Sequence, residues 1–205
     1  MSENIINTRK TTYLGQTMRQ AQTLKDAEIK RVLAYCATRQ HNARDTTIVV
    51  FSINAGLRAK ELAALRVGDV YDEQGAVRNS FVLAAEQTKG RCTRTVYLNK
   101  TLQRQLAQYR TALRNTAPSA ALFYSQKGNF FSANTMCQLL LNIYKTCSLK
   151  DASSHSGRRT FITRLANKGV GVRVLAELAG HSSIATTQRY IDVNAEQLAN
   201  AVELV

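Results

Sequence analysis

The chain has few acids for its bases, one proline, four scattered cysteines and no long apolar run, and each shortage removes a class of protein. Only 14 Asp and Glu stand against 28 Lys and Arg, a net charge of +14 and a pI near 10.0. The acids do not cluster in the way a two-metal nuclease needs to hold Mg²⁺. No stretch approaches the roughly 18 consecutive apolar residues of a membrane span, and the opening MSENIINTRKTTYLGQTMRQ lacks the apolar centre of a secretory signal. Cys36, Cys92, Cys137 and Cys147 form no CxxC pair and no CxxC…HxxxH spacing. That leaves neither zinc nor a redox couple, and they read as reduced thiols of a cytoplasmic protein. Neither GxSxG nor GxxxxGK[ST] occurs, which removes the hydrolase elbow and the P-loop. What remains is a 205-residue chain, 44% hydrophobic, with enough length for one proper core. Its positive surplus suits a polyanion as partner; the plainer alternative is a merely soluble basic protein.

The pattern along the chain is helical with one interruption. Residues 1–22 are polar without apolar period and read as a loose arm. Thr23 and Asp26 make a capping-box-like start to a helix whose Ile29, Val32, Leu33 and Cys36 recur at helical spacing. TTIVVFSINAG continues as a second helix that ends at Gly56, and RAKELAALR as a third. The period then changes: FVLAAEQTKGRCTRTVYL has β-branched and aromatic residues on both sides of Lys89, Gly90 and Arg91, the pattern of a hairpin with these at its tip. Helices are expected again near 99–114, 132–146, 156–167, 171–179, 183–191 and 194–203, with the sole proline, Pro118, in the loop between the first two. The fold class is therefore mainly α with a small antiparallel β-sheet, α+β.

Four segments carry residues suited to chemistry. In RAKELAALR, Arg58 lies four and seven residues before Leu62 and Leu65, on the apolar stripe, and Glu61 follows one turn later. In isolation this is an Arg–Glu pair on a solvated edge. HSGRRTFITRLANKG repeats the device, with Arg158 four and seven residues before Ile162 and Leu165 and His155 three before the arginine. An arginine on an inner stripe requires an anion. In VRVLAELAGHSSIATTQRYID, Gly180 ends one helix, Ser182 or Ser183 can cap the next, and His181 is held in the turn between them, a position also common for a histidine that merely caps a helix end. Tyr190, alone, is an aromatic closing a helix. At the hairpin tip Lys89 can reach outward as a mobile donor, with Arg91 and Arg94 suited to positioning phosphates, or the tip is an ordinary basic turn. Together, two arginines, two histidines, a lysine and a tyrosine suit a phosphodiester. Guanidinium forks bind the non-bridging oxygens, a histidine takes the phenolic proton or donates to the phosphate, and a lysine protonates the departing oxygen.

In order and spacing, GLRAKELAALRVGDV, TKGRCTRTVYL and HSGRRTFITRLANKGVGVRVLAELAGHSSIATTQRYIDV resemble the catalytic domain of tyrosine recombinases, the family of phage integrases, Xer and Cre. The resemblance covers residues 23–205, including the tail helix 194–203. It implies a mixed helical domain with a three-stranded sheet, and roles for Arg58, Lys89, His155, Arg158 and His181 around the nucleophile Tyr190, with Glu61 orienting the first arginine. It implies cleavage of one DNA strand to a 3′-phosphotyrosine and resealing without ATP, metal or other cofactor, so that the partner is double-stranded DNA. A type IB topoisomerase-like enzyme or a non-cleaving regulator on the same fold are the alternatives. The resemblance further implies assembly as a tetramer on paired sites, and accessory proteins that bend DNA. Residues 191–205 hold Asp192, Glu196 and Glu203 but no Lys or Arg, and Ala195, Leu198, Ala199 and Val202 form a stripe for self-association or for folding back. Two departures stand out. Arg159 replaces a common histidine, with little effect expected, and only some 22 residues precede the first helix, as in single-domain invertases without a core-binding domain. A cleavage rate that falls as the pH drops through about 6.5 is expected from the histidines.

Overall fold

The structure, a computed structural model, describes residues 21–88, 92–191, 198, 202 and 203. Among them the helices are α1 (Asp26–Ala37), α2 (Asn42–Ala55), α3 (Ala59–Ala63), α4 (Val67–Val70), α5 (Lys100–Arg110), α6 (Ala133–Thr146), α7 (Ser156–Asn167), α8 (Val172–Ala179) and α9 (Ile184–Gln188). Two antiparallel strands, β1 (Ser80–Leu83) and β2 (Arg94–Tyr97), pair Ser80 with Tyr97 and Leu83 with Arg94. The mainly helical class holds. Of the three strands implied by the resemblance, two are present among the described residues, beside an isolated bridge between Tyr71 and Val77.

The centre of the domain is α2. Its run from Thr47 to Ile53 is buried on every side, and α1, α5 and α7 pack around it. A β-branched run such as TTIVV is a poor helix former in water; burial against three neighbours overrides that preference. Gly56 ends the helix with φ 62°. α7 packs tightly on α2 at Gly157, where a Cβ would fall on the Ser52 hydroxyl. This contact sets the depth of the next residue, Arg158, which is 3% exposed.

Several local expectations are corrected. The capping pair of α1 is Lys25 and Glu28: the Glu28 carboxylate accepts the Lys25 backbone N–H at 2.8 Å. The Thr23 hydroxyl instead accepts from Arg159 Nε at 3.1 Å, a bond across the fold that a local pattern cannot show. The arm does not extend through Gln22, whose backbone N–H donates to the Asp151 carbonyl at 3.2 Å. RAKELAALR is helical for only five residues and is followed by the short, unexpected α4. Ser183 occupies the cap of α9 without a side-chain bond, and α9 stops at Gln188, so Tyr190 lies in the turn after it. The hairpin tip Lys89–Arg91 lies outside the described residues, as does the expected tail helix except for three positions.

Gly157→Ala forces the α2–α7 contact apart, and overpacking of this kind costs about 1–3 kcal/mol. The expected outcome is a melting temperature lowered by roughly 2–4 °C per kcal/mol for a domain of this size, measured by calorimetry against wild type.

Candidate active site

Arg58 stands at the extended cap of α3, so its side chain leaves the helix at its start. Glu61, fully buried one turn later, divides its carboxylate. Oε1 accepts from Arg58 Nη1 at 2.9 Å, while Oε2 accepts the Arg58 backbone N–H at 2.8 Å and Arg94 Nη2 at 2.7 Å. Behind them α8 ends, and its last carbonyls are taken by three arginines in turn. Arg94 Nη1 donates to Leu178 O at 2.9 Å, Arg158 Nη2 to Ala179 O at 2.5 Å and Arg58 Nη2 to Gly180 O at 3.4 Å. Arg158 Nη1 reaches the Gly56 carbonyl at 2.7 Å, tying the end of α2 into the same cluster. Carbonyls at a helix carboxyl end lack intrahelical donors and carry partial negative charge, which suits them to cations. Gly180 turns the chain with φ 61°; a Cβ there would strike Arg94 Cδ.

A cleft of about 550 Å³ opens over this cluster, lined by Arg58, Arg94, Thr88, Thr93, His181 and Ser182, with Glu61 beneath and Glu177 exposed at the rim. Arg58 is the guanidinium open to solvent, whereas Arg158 lies under it. Burial pushes the Glu61 carboxyl up, but Arg94 and the bond from the Arg58 backbone outweigh it and hold Glu61 below its ordinary value, ionised at neutral pH. Burial and the neighbouring Arg58 bring Arg158 down to about 9, still a cation. Three guanidiniums thus crowd one buried carboxylate, an arrangement that favours a further anion in the cleft. Among the described residues no group of three or more His, Cys, Asp or Glu could hold a metal.

His181 lines the cleft and also touches Tyr190: the rings stack with centroids 5.7 Å apart and an interplanar angle of 17°. Its Nδ1 pairs with the hydroxyl of the buried Thr187 at 2.8 Å, which fixes the ring and leaves Nε2 as the other nitrogen. Tyr190, half-buried, has Arg159 Cζ 5.5 Å from its ring centroid, and its carbonyl accepts from Thr163 Oγ1 at 3.3 Å. Of the expected residues, the structure gathers Arg58, Arg158, His181 and Tyr190. His155 is exposed at the cap of α7, one turn before Arg158, and Lys89 lies outside the described residues.

Sequence reasoning took Arg94 for a surface residue suited to phosphate, whereas the structure buries it against Glu61; its inward phase with Val96 in β2 was the available signal. It also set Arg159 aside, although that side chain lies over the tyrosine ring. Thr187 gave no signal, since its bond to His181 depends on the Gly180 turn.

The fold matches solved recombinases. The crystal structure of XerA recombinase superposes with a TM-score of 0.70 at 25% identity, covering 89% of this chain and 64% of that one. The Tn1549 transposon integrase in complex with a circular intermediate DNA gives 0.72 at 19% identity, covering 92% and 67%. The catalytic domain of bacteriophage HP1 integrase gives 0.63 at 22%, with 90% of this chain and 95% of that one covered. These define the class: a tyrosine recombinase catalytic-domain fold. Residues 22–197 match the phage integrase family, and the chain belongs to it. The tyrosine recombinases XerA of Pyrococcus horikoshii and Pyrococcus furiosus are 29% and 30% identical over 184 residues. Those alignments cover 88% of this chain and 60% of each relative, so the chain spans less than two thirds of their length.

The acid limb near 6.5 is corrected for His181. Burial, and then Arg158, Arg58 and Arg94, lower its pKa from 6.5 to about 4, so it is neutral across the physiological range. NMR of the ring is expected to show a midpoint near 4 rather than 6.5. Between those values the unfolded chain binds a proton that the folded site refuses. The stability linked to His181 is therefore complete above about 6.5 and lost progressively as the pH falls toward 4.

Proposed function

We propose that this domain is a site-specific DNA recombinase that cuts and rejoins DNA through a covalent 3′-phosphotyrosine at Tyr190. The observation that carries this reading is the stack of Tyr190 on His181, which puts a phenol next to a neutral imidazole at the edge of an arginine-lined cleft. Family membership and the tyrosine recombinase relatives support it.

On this reading the scissile phosphate sits on Arg58 and on the donors Arg158 retains beyond its two carbonyl bonds, and these cations take up the charge that builds on the phosphoryl oxygens. Tyr190 Oη attacks phosphorus; its bond to phosphorus forms as the bond to the 5′ oxygen breaks. The phenolic proton passes to an imidazole, for which His181 is neutral and adjacent, and Lys89 supplies the proton taken up by the departing 5′ oxygen. His155, at the start of α7, is the second imidazole beside Arg158. One phosphate ester replaces another, so the 5′-hydroxyl of a partner strand can reseal the DNA by the reverse step without an external energy source.

Strand exchange requires several copies on paired sites, and we assign their contact to the tail. Leu198 and Val202, four residues apart, are 60% and 72% exposed, an apolar pair that suits docking on a neighbouring copy. A positively charged domain gripping DNA in this way binds with strong salt dependence.

The test is a nicked suicide substrate, screened from genomic fragments and resolved on a denaturing gel. Wild type is expected to form a covalent 3′ adduct. Tyr190→Phe is expected to form none, while its DNA affinity stays within about tenfold, the most that loss of one hydroxyl bond accounts for. An adduct formed by Tyr190→Phe overturns the assignment of the nucleophile.

A further inference from the structure

Arg94 is the one arginine of the cluster that comes from the hairpin. It opens β2, two residues beyond Cys92, where the described chain resumes after the tip. Its side chain turns inward with Val96, while Thr95 and Tyr97 face out. One Nη meets Glu61 Oε2 at 2.7 Å and the other meets Leu178 O at 2.9 Å. Its Nε is buried and has no hydrogen-bond partner. A buried donor left unsatisfied is unfavourable, so the fork is held by its two Nη bonds in spite of that cost. With Nε sealed from solvent and each Nη already bonded to a group that shapes the site, Arg94 is anchored in the wall of the cleft.

What it reaches are the two groups that aim the site. Glu61 also binds Arg58 through its guanidinium and its backbone, so the position of the carboxylate sets the position of Arg58. Leu178 precedes the turn at Gly180 by two residues, and Gly180 lacks a side chain where Arg94 Cδ passes. The next residue is His181, whose backbone N–H closes the turn on the Ala176 carbonyl at 2.9 Å. A planar fork with fixed spacing can hold both acceptors at once; an ammonium on a flexible stem satisfies one at a time in a defined geometry.

Resting on the recombinase reading above, we infer that Arg94 is a positioning residue that ties the β-hairpin to Arg58 through Glu61 and to His181 through the end of α8. Strand β2 is thereby coupled to the opposite wall of the cleft. A shift of β2 along its length displaces the phosphate-binding Arg58 and the His181 turn together, so the two groups assemble or disassemble as a unit.

The experiment uses Arg94→Lys in the full chain, with two readouts. In the free protein, NMR of the arginine side chains and histidine rings is expected to show the Arg58 guanidinium and the His181 ring displaced from their wild-type signals. Spectra that superpose on wild type overturn the inference, whether or not the chain cleaves DNA. On a suicide substrate built from the sequence to which the wild-type adduct maps, the single-turnover cleavage rate is expected to fall about 100-fold, the loss that a displacement of about 1 Å in a reacting group produces. Lysine keeps the positive charge, so the salt dependence of DNA binding is expected to stay as in wild type. The double variant Glu61→Gln, Arg94→Leu removes both charges together and so leaves neither buried alone. It is expected to fold and to share the cleavage defect; full activity in the double variant also overturns the inference. If wild type forms no adduct at all, the recombinase reading fails and the NMR comparison alone decides the role of Arg94.

Discussion

Everything near the cleft answers to one electrostatic problem, the packing of three guanidiniums against a single buried carboxylate. Arg58, Arg94 and Arg158 repel one another, and Glu61 cannot neutralise all three. The backbone makes up part of the difference. The carbonyls of Leu178, Ala179 and Gly180, exposed by the end of a helix, each accept from a different arginine, and Gly56 adds a fourth from α2. Partial charges on carbonyls hold the arginines in place but do not cancel them, so the site retains attraction for a fully charged anion. Burial and then the same surplus explain the neutral His181: a second kind of cation is disfavoured in a half-buried place among so many.

This arrangement depends on contacts made far from the cleft. α2 is buried along its length and serves as the fixed member against which α7 is set, and the lack of a side chain at Gly157 lets the two helices close. Arg158 then enters from α7, Arg58 from the cap of α3, Arg94 from the hairpin, and the carbonyls from α8. Four segments distant in sequence converge on a volume a few ångströms across.

How much of this the sequence disclosed follows from the range of each interaction. Arg58 with Glu61, and Arg158 with His155, sit one turn apart on single helices, and helical periodicity displays such pairs directly. His181 was legible because Gly180 announces a left-handed turn. The bonds of Arg94 to Glu61 and Leu178 span 33 and 84 residues, and the alternation in RCTRTVYL can show that Arg94 turns inward but not what it meets. Its charge was read as a surface property for that reason. Thr23 was read as a helix cap because its neighbours permit one, yet its hydroxyl is engaged by Arg159 from 136 residues away. Where a residue's partner lay within a turn, the pattern was sufficient; where it lay across the fold, side-chain chemistry alone left the choice open.

The end of α9 has a further consequence. The helix is five residues long, too short to be stable by itself, and Tyr190 follows it in a turn whose backbone bonds run from Tyr190 to Thr187 and from Ile191 to Gln188. The phenol ring is therefore held by the His181 ring and the Arg159 side chain, and its backbone by the Thr163 hydroxyl, and not by the stiffness of its own segment. The arginine seat and the tyrosine therefore meet in one turn: the carbonyls of Leu178, Ala179 and Gly180 that hold the arginines lead directly into His181, the ring on which the tyrosine rests.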